Sequence, residues 1–74
     1  MNKETRNDIK KIVVRLNLIR DEIDRIKDKE EDKFDNLSEG LQATMKGQDM
    51  EEAIEYLGDA LDSIDEAIGN LEQM

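Results

Sequence analysis

Apolar residues recur along this chain with the period of a helix seam. In the first half Ile9, Ile12, Leu16, Ile19, Ile23 and Ile26 follow alternating steps of three and four. In the second half Met50, Ile54, Leu57, Leu61, Ile64, Ile68 and Leu71 do the same. Stripes of this kind belong to amphipathic helices that pack as left-handed coiled coils. The spacing predicts one helix over about 3–36 and another over about 49–73. Asp49 would be the N-cap of the second, with Glu52 as the other half of a capping box. Between them, DNLSEGLQATMKG reads as a break after Leu37, a short helix over about 38–46 and a stop at Gly47.

The two stripes match when paired antiparallel with residue numbers summing to 80. Ile26 then faces Ile54, Ile23 faces Leu57, Ile19 faces Leu61, Leu16 faces Ile64, Ile12 faces Ile68 and Ile9 faces Leu71. Every layer is apolar on both sides, and the midpoint falls at Gly40. The expected fold class is all-α: an antiparallel coiled-coil helical hairpin with a short connecting helix, forming a single domain over residues 1–74.

Such a hairpin has a thin core, and small cores rarely supply more than about 3–5 kcal/mol. Disulfides and the usual zinc sites are not available as staples, because the chain has no Cys and no His. Self-association remains, with a dimer forming a four-helix bundle as the expected outcome. Ala53, Ala60 and Ala67 line the column beside the second seam and would let another helix approach closely. Val13 widens the first stripe, while Val14 and Leu18 sit one turn apart on a different face. These six are the expected oligomer or partner interface.

Composition narrows the function classes. Nothing places a base beside a nucleophile, and a two-helix hairpin offers little concavity, so the chain is expected to be no enzyme and to need no cofactor. The stretch DKEEDKFDNLSE overlays a twelve-position calcium loop with Asp28, Glu30, Asp32 and Glu39 at ligand positions. Lys33 holds the place where that loop needs Gly for its sharp turn, so the stretch reads as a charged helix end and no metal site is assigned. Gly58 and Gly69 fall inside the second helix at a cost of about 1 kcal/mol each relative to Ala. Close approach of another backbone and tolerated drift both account for them.

Charge is divided unevenly. Residues 1–33 carry ten basic and nine acidic side chains, whereas residues 34–74 carry one basic and eleven acidic, within a net charge of −9. Glu52, Glu55, Asp59, Asp62 and Glu66 repeat along the second helix opposite its seam. This acidic ridge reads either as a docking face for a basic protein surface or as a solvated face that maintains solubility. One charge per about 5 Å of helix is sparse beside duplex DNA, at one per about 1.7 Å, so strict DNA mimicry is disfavoured. The net charge argues against direct contact with nucleic acid or an anionic membrane. No apolar run is long enough to span a bilayer and MNKETRNDIK lacks a signal peptide's apolar core, so a cytoplasmic location is expected.

The run DNLSEGLQ, followed by MEEAIEYLGDALDSIDEAI, resembles small acidic helical-hairpin proteins of bacterial prophages and mobile elements. That group reads Pro where this chain has Ser38 and Ser where it has Gly40. The resemblance covers about half the chain and implies a phage or mobile-element accessory protein acting in a bacterial host cell. Two functions are therefore expected to compete. One is a non-enzymatic module that modulates or inhibits a host protein, of defence or nucleic-acid handling, through the acidic ridge. The other is a structural homo-oligomerisation module with no foreign partner.

Overall fold

The computed structural model describes residues 1–74 as three helices, α1 (Lys3–Asp35), α2 (Glu39–Gln42) and α3 (Met45–Glu72). α1 and α3 pack against each other as the arms of a hairpin 58 × 15 × 13 Å along its principal axes. α1 is opened by Asn2, whose side chain accepts from the Thr5 N–H at 2.8 Å. It closes at Asn36, whose N–H donates to the Asp32 carbonyl at 3.1 Å, while the Leu37 N–H donates to that of Phe34 at 3.0 Å. The Gln42 side-chain amide then donates to the carbonyls of Phe34 at 3.0 Å and Leu37 at 3.2 Å, satisfying acceptors that the end of a helix leaves open.

The connector differs from the sequence expectation. α2 is a single turn capped by Ser38, which accepts from the Leu41 N–H at 3.3 Å. α3 starts at Met45, four residues before Asp49, and its N-cap is Thr44. The Thr44 hydroxyl accepts from the Gly47 N–H at 3.4 Å and donates to the Leu41 carbonyl. Gly47 is no stop, because no glycine has a positive φ. It lies buried in the first turn of α3, where a Cβ would stand 2.2 Å from the Gln42 carbonyl oxygen. Glycine is needed there for close approach of two backbones.

The seam of α3 is as expected. Leu61 and Ile68 are buried, and Met50, Ile54, Leu57, Ile64 and Leu71 are half-buried. α1 is turned differently. Ile9, Leu16 and Ile23 are half-buried as expected, but Ile12, Ile19 and Ile26 are 44%, 45% and 52% exposed. Val13, Arg20 and Lys27 replace them, and the column continues through Glu30, Phe34 and Leu37 towards the connector. The register moves as well: Arg20 meets Asp65, and Lys27 lies over Gly58. Both contacts fall roughly one turn further along α3 than the expected pairing. The centre of the hairpin shifts accordingly from Gly40 to Gln42, the residue that ties α1 to the connector.

Three causes favour this arrangement over six apolar layers. Phe34 and Leu37 become half-buried, and their carbonyls accept from the Gln42 side chain of the connector. The aliphatic stem of Lys27 lies along the flat surface left by Gly58, while its ammonium reaches Glu31 at 2.8 Å. Arg20 gains a carboxylate across the seam. The result is a thin core, with three residues buried in the whole chain.

Candidate protein-binding surfaces

Three surfaces of the hairpin carry chemistry, and each follows from how a helix presents its columns. The first is the acidic ridge. Glu52, Glu55, Asp59, Asp62 and Glu66 are all exposed on the side of α3 facing away from α1. None of them forms an ion pair. The cations of α1 that pair at all pair elsewhere: Arg20 with Asp65 and Asp21, Lys27 with Glu31, and Lys33 with Glu30 at 3.3 Å. Only Arg20–Asp65 crosses between the arms. Hydrogen bonding to Asp65, reinforced by its charge, raises the Arg20 pKa, and Glu31 does the same for Lys27.

The ridge has one neutral partner. Tyr56 donates its phenol hydrogen to Glu52 at 3.2 Å. That hydrogen bond, followed by the charge of Glu52 and then those of Glu55 and Asp59, raises the Tyr56 pKa above its ordinary 10.0. Each of these effects disfavours a further negative charge among carboxylates. Tyr56 is 64% exposed, so it supplies the ridge with an aromatic face at its N-terminal end.

The second surface is an apolar flank that the sequence pattern assigned to the core. The contacts of Arg20 with Asp65 and Lys27 with Gly58 mark one side of the seam. Ile12, Ile19 and Ile26 sit one position before the Val13, Arg20 and Lys27 column, on the opposite side of α1's seam. Ala53, Ala60 and Ala67 lie opposite Gly58 and Asp65 across the seam of α3. The three half-exposed isoleucines and three half-buried alanines therefore share one flank. Helical spacing could have shown this flank, because Ile12 and Val13 compete for the seam and only one column can occupy it.

The third surface is a shallow groove at the open end, lined by Ile9, Val13, Val14, Leu71 and Met74. Of the expected interface, the three alanines are brought together with the isoleucines. Val13 is instead turned into the seam, and Val14 and Leu18 stand 60% exposed on the outer side of α1. Asp28, Glu30 and Asp32 project from the unbroken last turns of α1, and no group of three acidic side chains is placed to hold a metal ion. No helix is long and apolar enough to cross a membrane. No family model, curated protein or solved structure matches the chain.

Proposed function

We propose that the chain is a non-enzymatic protein-binding module whose acidic ridge docks on a basic surface of another protein. The observation that carries this reading is that all five ridge carboxylates are exposed on one face without a single cation paired to them. Like charges at these spacings cost an isolated helix about 0.2–0.5 kcal/mol per pair, and a cationic partner would relieve that cost. The partner is a protein because the ridge repels nucleic acid and is sparser in charge than a duplex. In keeping with the resemblance noted above, the setting is the cytoplasm of a bacterial host, with a phage or mobile-element accessory protein modulating or inhibiting a host protein.

A second reading is favoured by a different observation. The exposed isoleucines and the thin core support a homo-oligomerisation module, in which two hairpins dimerise into a four-helix bundle. The two readings are compatible, since the ridge and the apolar flank face different directions.

Affinity capture from host lysate at low salt tests the ridge. A partner with a basic surface should be retained, released by salt, and lost from the Glu55→Lys, Asp62→Lys double variant while helicity and melting temperature stay nearly unchanged. Retention of the same partner by the double variant would remove the ridge from the function.

A further inference from the structure

We propose that the flank formed by Ile12, Ile19 and Ile26 of α1, with Ala60 and Ala67 of α3 beside them, is a two-fold interface for a second copy of this chain, with the α1 helices antiparallel across an axis at Ile19. The proposal deepens the self-association reading and does not depend on the acidic ridge.

Surface area is the first argument. A folded monomer of 8.6 kDa should expose about 4,700 Å², on the usual scaling of surface with mass. This hairpin exposes 5769 Å². The surplus is roughly 1,100 Å² per chain, so two chains covering it would bury about 2,000 Å² in total, the size at which permanent homodimer interfaces begin. A flank running the whole length of α1, Lys3–Asp35, with the C-terminal half of α3 beside it, is the place for such an area. The alanines keep its α3 side low, and the isoleucines supply large apolar side chains that are already half exposed.

Charge decides which occupant fits. Asp8, Arg15, Glu22 and Lys29 form the column bordering the isoleucines on the side away from α3. All four are exposed, and none is ion-paired within the chain. Their signs alternate, so the column read backwards is its own complement. In the antiparallel arrangement Ile19 meets Ile19, and Ile12 meets Ile26, of the second copy. Asp8 then stands opposite Lys29 and Arg15 opposite Glu22, all four contacts of the dimer being attractive. A parallel arrangement in register would set each charge against its own kind, which is destabilising. A foreign helix has no reason to carry this alternation, whereas a second copy carries it by construction. The ridge of each hairpin stays outside the resulting four-helix bundle.

The absence of native cysteine makes the geometry directly readable. Light scattering should give twice the 8.6 kDa chain mass. Under mild oxidation Ile19→Cys should cross-link to a covalent dimer, as should the Ile12→Cys, Ile26→Cys double variant. Ile12→Cys alone and Ile26→Cys alone should not. Arg15→Glu should weaken the dimer roughly tenfold through its two symmetry-related contacts, and adding Glu22→Arg should restore it. These positions are exposed or half exposed, so circular dichroism should report unchanged helicity. A monomer at every concentration would overturn both this interface and the self-association reading. A dimer cross-linked by Ile12→Cys as readily as by Ile19→Cys would overturn this interface alone.

Discussion

Gly47 is the one glycine whose neighbours demand it. A Cβ there would stand 2.2 Å from the Gln42 carbonyl oxygen and 2.6 Å from its carbon, both backbone atoms that cannot swing aside. Gly47→Ala should therefore push α3 away from the connector and lower the urea midpoint by well over the cost of an ordinary surface change, about 0.5 kcal/mol. Gly69 has nothing within 4 Å of the place a Cβ would take, and Gly58 has only the flexible Lys27 Cε at an ordinary 3.5 Å. Neither serves a close backbone approach within the hairpin. Gly69→Ala should stabilise the protein by about 1 kcal/mol, the helix-interior difference between the two residues, in the same urea titration. Tyr56 offers a residue-scale test of the ridge, because it is the only tyrosine and there is no tryptophan. Its folded pKa lies above 10.0, so the folded state favours the neutral phenol. That contribution to stability is present below the unfolded value and is lost as pH rises through the folded one. Titration of the tyrosinate absorbance should give a midpoint above 10.0 that falls back towards it in Glu52→Gln.

At the scale of elements, the start of α3 separates two capping signals. Asp49 with Glu52 has the sequence form of a capping box, yet it lies within the helix, while Thr44 holds the cap position. Thr44→Ala should cost about 1 kcal/mol in thermal or urea unfolding, the usual loss for a cap, and Asp49→Ala should cost only a few tenths. The hairpin, the break after Leu37 and the whole seam of α3 were legible because their signals are local, whereas the expected connecting helix over about 38–46 is divided between the single turn of α2 and the start of α3. Gly47 was misread because glycine serves both left-handed stops and close backbone approach, and only tertiary structure distinguishes them. The seam of α1 was misread for a related reason. Counting apolar residues favours Ile12, Ile19 and Ile26, but the chosen column must also seat Phe34 and Leu37, lay Lys27 over Gly58 and bring Arg20 to Asp65. Long cationic side chains can fill half-buried positions with their stems, which a binary reading of apolar and polar residues does not register. The same rotation moved the isoleucines out of the core and onto the flank proposed for a second copy. The exposure of the five ridge carboxylates was legible, since a place opposite the seam follows directly from the helical period.

At the scale of the whole molecule, the charge partition makes stability respond to salt in a definite direction. α3 carries nine acidic side chains and one basic, whereas α1 carries ten of each. The arms therefore have no net attraction for salt to weaken, and Arg20–Asp65 is the only ion pair between them. Within one hairpin, salt acts chiefly on the mutual repulsion of carboxylates along α3. The ridge from Glu52 to Glu66 extends over about 21 Å of helix, at a rise of 1.5 Å per residue. At 0.01 M salt the screening length is about 30 Å and every ridge carboxylate feels the others; at 1 M it is about 3 Å and even neighbours are largely screened. The melting temperature of the monomeric hairpin, measured at a fixed protein concentration below that of dimerisation, should accordingly rise with sodium chloride across this range. In Glu55→Lys with Asp62→Lys the ridge keeps three carboxylates interleaved with two ammonium groups, and the rise should shrink or reverse. A wild-type melting temperature that falls with salt while the chain is monomeric would mean that the cations of α1 reach the ridge after all, and that its carboxylates are not left free for a partner.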